Sequence, residues 1–139
     1  MKKYQYYIAS GWEFGKADGR MIRAIRAAAE RLRAEVGEER VFVPMEHDLP
    51  GGDTMDNESW SRGIFEIDLA ALKDSERVYY LDWGAEGDVG AGWEVGYAYA
   101  CGIPVICESH GGDVSLMIAH SAEAFSPHGE GAADGKRRM

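Results

Sequence analysis

Residues 77–109, RVYYLDWGAEGDVGAGWEVGYAYACGIPVICES, decide how the chain folds. A run rich in Val, Tyr and Leu ends at Trp83 and passes into a loop that closes on glycines. A helix is expected from about Ala91 to Cys101, and a second apolar run follows in IPVICES. Two short apolar strands joined through a helix read as neighbours in a parallel sheet, because parallel strands need a crossover connection.

The same alternation extends outward. YQYYIA (4–9) predicts a first strand with a turn-like exit in SGW. Between Asp18 and Val36 the apolar positions Met21, Ile22, Ile25, Ala28, Ala29, Leu32 and Val36 recur at helical spacing, and Gly37 closes the helix. RVFVP (40–44) predicts a short second strand stopped by proline. The polar connection 45–58 is long for so small a domain, which favours a functional loop. A helix over about 57–75, a short helix near 113–121 and a weak strand in EAFS complete the pattern. The fold class is therefore α/β: a central parallel sheet of about five strands between helical layers, formed by residues 1–126, with 127–139 a flexible Gly-rich tail. Ligands of such sheets sit beyond the carboxyl ends of the strands, which points to the loops 10–18, 45–58 and 82–92.

With 139 residues the chain fits one domain. A net charge of -9 disfavours nucleic acid as a partner. No apolar run is long enough to span a bilayer and no signal-peptide core opens the sequence, so a cytoplasmic protein without a membrane partner is expected. The four histidines lack metal-ligand spacing, and the glycines lack the setting of a dinucleotide fingerprint, so neither a metal nor a cofactor is expected. Cys101 and Cys107 read as small buried hydrophobes, and Gly96, Ala98 and Ala100 as positions of close helix-to-sheet packing.

Three carboxylates stand out. Glu94 falls among small and apolar residues near the start of the helix that the glycine loop opens, where the positive end of the helix would keep it ionised. An ionised, desolvated glutamate suits nucleophilic attack; capping its own helix is the other use of an acid there. Asp68 lies on the apolar stripe Trp60, Ile64, Ile67, Ala71, Leu72, where burial raises a carboxyl towards a general acid, although a satisfied structural hydrogen bond would also explain it. Asp88 sits beside the glycine loop. Together they suit cleavage of a glycosidic bond.

YYIASGW, IDLAALKDSERVYYLDW, DVGAGWEVGYAYACGIPV and VSLMI together resemble the nucleoside 2-deoxyribosyltransferases over nearly the whole chain, the third segment being the specific one. The resemblance implies a flavodoxin-like fold and a homo-oligomer in which a neighbour completes each site. By the same resemblance Glu94 is the nucleophile, Asp68 protonates the leaving base, Asp88 binds the sugar hydroxyls and Tyr7 holds the nucleophile. Trp12 and Phe14 would wall the base, Gly11, Gly90 and Met117 would bind the substrate, and Ser115 would reach the neighbouring subunit's site. The substrates implied are a deoxyribonucleoside and a free nucleobase.

The transferases usually carry asparagine where this chain has Ser115; the related deoxynucleoside 5'-monophosphate glycosidases carry serine. Those glycosidases also bear a phosphate cradle with arginine after strand one, whereas SGWEFGKADGR offers none before Arg20, and Glu13, Asp18 and Asp88 are acidic. The nucleoside reading is therefore preferred. The glycosidase and a non-catalytic nucleotide sensor of the same fold are the alternatives.

Overall fold

The computed structural model describes residues 1–12 and 19–129. Five parallel strands, β1 (Tyr4–Ala9), β2 (Val41–Phe42), β3 (Ser75–Asp82), β4 (Val105–Ser109) and β5 (Ala124–Phe125), form one sheet in the order β2-β1-β3-β4-β5. This is the flavodoxin-like order, whose direction of winding reverses between β1 and β3 and leaves a crevice there. The helices are α1 (Arg20–Val36), α2 (Asn57–Lys73), α3 (Val89–Ala100) and α4 (Leu116–Ser121).

The strand period of two divides the core. Tyr6 and Ile8 of β1 pack with Met21, Ile25, Ala28, Ala29 and Leu32 of α1. Tyr7 and Ala9 face the other way, against Ala71 and Leu72 of α2 and Ala91, Val95 and Ala98 of α3. One face is thus roofed by α1 and the other by α2 and α3.

Some boundaries differ from the sequence reading for local reasons. β2 is two residues long because Pro44, which has no N–H to give the ladder, starts a 3-10 turn over Pro44–Glu46. α3 begins at Val89 because the Asp88 side chain accepts from the N–H of Ala91 and caps it. Ala91, Val95 and Ala98 are the buried residues of α3; Gly96 and Ala100 are exposed and are not positions of close packing on the sheet. Cys107 is buried as expected, but Cys101, at the C-cap of α3, is exposed.

The loops leaving β3 and β4 cross in close contact. Gly84 has φ +61°, and a Cβ on Gly111 would stand 2.3 Å from the Gly84 nitrogen and 2.4 Å from the Trp83 carbonyl carbon. Backbone cannot yield as a side-chain tip can, so this crossing fixes the path into Asp88 and α3. Gly111→Ala is expected to cost ~1–3 kcal/mol of stability, the range for overpacking. Chemical denaturation checks it; wild-type stability would mean that the crossing is looser than described.

Candidate active site

Tyr7 comes first, because β1 is hydrogen-bonded on both sides and its side chain is fully buried. Its ring stacks on Phe42 at 5.4 Å, and Phe42 stacks on His47 at 4.1 Å. Held this way, the Tyr7 hydroxyl donates a hydrogen bond to Glu94 Oε2. Asp68 projects from the half-buried stripe of α2, and Asp88 caps α3.

These groups border a cleft at the carboxyl ends of the strands. One lobe, about 440 Å³, is lined by Ser10 and Trp12 after β1, by Phe65, Asp68 and Leu72 of α2, and by Asp88, Gly90, Trp93 and Glu94. A second lobe of about 590 Å³ shares Trp12, Pro44, Asp68 and Asp88 and extends to Gly11, His47 and Trp60. Gly11 is required there, since a Cβ would approach the Asp88 Cβ to 2.8 Å.

Burial raises Glu94 to about 8; the Tyr7 hydrogen bond opposes this, while the charges of Asp68 and Asp88 add to it. Burial likewise raises Asp68 to about 6. The Tyr7 hydroxyl is pushed well up by burial and by Glu94 and Asp68, so it stays a donor. The expectation that the helix start keeps Glu94 ionised is corrected here. With α3 starting at Val89, Glu94 lies in the second turn, where the dipole has largely faded, and it stands among two further acids. It does not cap the helix; Asp88 does.

The structure therefore brings Tyr7, Glu94, Asp68, Asp88, Gly11, Trp12 and Gly90 to one cleft. Phe14 lies outside the described residues. Ser115 and Met117 stand exposed at the start of α4 and line neither lobe of their own chain. Sequence reasoning missed Phe65 and Trp93, whose rings lie 5.8 Å apart at the cleft wall, and the Phe42–His47 stack behind Tyr7. The one signal for the first pair was a large aromatic on the polar side of each helix pattern. Among the described residues no group of three or more His, Cys, Asp or Glu could hold a metal ion. No helix among them is long and apolar enough to cross a membrane.

Comparison with known proteins agrees with the geometry. No curated protein matches the chain significantly. Among solved structures, it is similar to a 2-deoxyribosyltransferase from the psychrotolerant bacterium Bacillus psychrosaccharolyticus, a biocatalyst for synthesis of antiviral and antitumoral nucleosides, at 28% identity and TM-score 0.73, covering 87% of this chain and 84% of that one. A conserved protein from Enterococcus faecalis V583 matches at 23% identity and TM-score 0.60, covering 78% of this chain and 64% of the other. A 2-desoxiribosyltransferase from Leishmania mexicana matches at 16% identity and TM-score 0.55, over 98% and 79%. These last two bear on the fold alone. The family model of the nucleoside 2-deoxyribosyltransferases matches residues 6–126, a span holding the cleft, all three carboxylates and all of the sheet but the first two residues of β1, so the chain belongs to that family.

Proposed function

We propose that the protein cleaves the N-glycosidic bond of 2'-deoxyribonucleosides by double displacement and passes the sugar to another nucleobase or to water. The observation that carries this reading is the pairing of Tyr7 with Glu94 at the floor of a cleft that also holds Asp68 and Asp88. A Glu94 oxygen attacks C1' of the sugar and forms an ester-like bond. The C1'–N bond breaks, its electron pair stays on the base nitrogen, and Asp68 gives that nitrogen its proton. An incoming base nitrogen or water then attacks C1', Glu94 leaves, and Asp68 takes a proton back. Asp88, exposed at the rim, is suited to accept from the sugar hydroxyls.

Substrate charge follows from the same cleft. Three carboxylates line it, and Arg20, the nearest arginine after β1, lines a cavity on the other side of the sheet, stacked over Trp83 and paired with Glu86 at 2.9 Å. This favours nucleosides over their 5'-monophosphates. The glycosidase alternative would need a cationic cradle that the described part of the cleft does not supply. A non-catalytic sensor would have no use for the raised acids.

Assembly is proposed through the outer faces of α3 and α4, where Val89, Tyr99 and Met117 are 89%, 63% and 71% exposed and Ser115 is exposed beside them. Ser115 and Met117 would then reach a neighbour's cleft. A cytoplasmic place in nucleoside salvage fits this chemistry.

The deciding experiment incubates the protein with a deoxynucleoside and a second free base and follows both bases chromatographically. Exchange supports transfer, release without exchange supports hydrolysis, and neither overturns the proposal. Matched assays with deoxyadenosine and its 5'-monophosphate test the charge argument; preference for the monophosphate would reverse it.

Glu94→Gln keeps the acceptor for Tyr7 but loses the nucleophile, so cleavage should fall by several powers of ten. The variant should also be more stable than wild type at high pH. Folded Glu94 keeps its proton to about 8, against 4.5 for the free side chain. The folded state thus binds more protons across that window and loses stability as pH rises through it. A melting temperature several degrees above wild type at pH 9, with the gap closing towards pH 5, is the expected result; an unchanged gap would contradict the burial argument.

The raised values also predict the pH profile. The productive form needs Glu94 ionised and Asp68 protonated, yet Asp68 titrates near 6 and Glu94 near 8, so the single proton rests mainly on Glu94. The productive form is then the minor one of the singly protonated pair, and kcat/KM should be bell-shaped with limbs near 6 and 8 belonging to the pair. Asp68→Asn should abolish the alkaline fall and slow poorly leaving bases by ~10²- to 10⁴-fold. A flat profile from pH 5 to 9 would refute the assignment.

A further inference from the structure

On the other side of the sheet from the carboxylate cleft lies a cavity of about 390 Å³ that the reaction does not use. Arg20, Arg23 and Arg31 line it from one stripe of α1, and Ala24 and Ala27 between them are too short to fill the groove. Its other wall is Trp83 after β3, His110 after β4 and His128 after β5. The backbone that carries His128 lies against β4, since a Cβ on Gly129 would meet the Ser109 carbonyl oxygen at 2.4 Å.

The floor is organised around Glu108, which is 2% exposed. It accepts hydrogen bonds from Tyr79 and Arg31 and bonds His110 Nε2 at 2.6 Å. These partners hold its carboxyl below the usual range against the cost of burial. The carboxylate is therefore satisfied from within and anchors Arg31 and His110 in the wall. His110 also stacks on Trp83 at 4.7 Å, with the Arg20 guanidinium 5.0 Å from the same ring. Three arginines and two histidines thus line one cavity of a chain whose net charge is -9, with Glu108 at its floor.

We propose that this cavity binds a tetrahedral oxyanion of the phosphate class. Guanidinium forks match the several acceptor oxygens of such a group, and arginines one turn apart on α1 can reach it together. A nucleobase is disfavoured, because Trp83 is 2% exposed and offers no open ring face for stacking. The carboxylate cleft would repel the same anion, so the two sides of the sheet sort ligands by charge. The Trp83 indole N–H donates to Ser10 Oγ at 3.0 Å, and Ser10 borders the cleft, so the two sites share a structural element.

The test uses the full chain, titrated with potassium phosphate against potassium chloride at constant ionic strength, with the ring resonances of His110 and His128 followed by NMR. Saturable shifts with phosphate only, weakened at least fivefold by Arg23→Gln or Arg20→Gln and retained in Glu94→Gln, are expected. Parallel titration with glycerol 2-phosphate separates the sources: tighter binding of the ester identifies an esterified ligand, equal or weaker binding the free ion. Shifts that do not saturate, that chloride reproduces, or that both arginine variants leave unchanged would overturn the proposal. Both arginines are exposed, so their loss should not unfold the protein.

Discussion

The hydrogen bond from Tyr7 to Glu94 ties the middle of the sheet to α3, and much of the architecture serves to make it possible. A carboxyl group brought over a parallel sheet loses water, and it tolerates this only with a donor placed beforehand. Tyr7 is so placed because β1 pairs with β2 and β3 and because Phe42 and His47 stack behind its ring. The donor is rigid before any ligand arrives. The remaining cost of burial appears as the raised affinity of Glu94 and Asp68 for protons.

A second constraint works at a distance. The loops after β3 and β4 pass so closely at Gly84 and Gly111 that their backbones set one another, and this contact delivers Asp88 to the start of α3. Asp88 then caps the helix that carries Glu94, so one acid positions another while remaining at the cleft rim. The same strand ends feed the opposite face, where Trp83 and His110 leave the sheet towards α1. Because β-strand side chains alternate, Asp82 turns towards Tyr80 and the α3 side whereas Glu108 turns towards Tyr79 and Arg31. The two sides of the sheet therefore differ in charge: Glu94, Asp68 and Asp88 border the cleft on the α2 and α3 side, whereas Arg20, Arg23 and Arg31 surround the single buried acid Glu108 on the α1 side.

The sequence by itself determined the order of strands and helices, the parallel sheet and the loops that border the cleft, because each rests on local periodicity and on turn residues that act within a few positions. It also singled out Glu94, Asp68 and Asp88, since an acid within an apolar pattern is conspicuous at short range. It could not determine their protonation. The helix start is the site of Asp88, and the proton affinity of Glu94 depends on its burial and on Tyr7 and Asp68, which are brought to it from β1 and α2 only by folding. Which face of α3 meets the sheet was equally hidden, because small residues at Gly96 and Ala100 fit either side of a helix and only packing selected Ala91, Val95 and Ala98. The Glu108 cluster had no local signature at all: Arg31, Tyr79, Glu108, His110 and Ser126 are scattered over four segments, and the sheet register joins them. Electrostatics depends on through-space neighbours and on lost water, and both are properties of the tertiary structure alone.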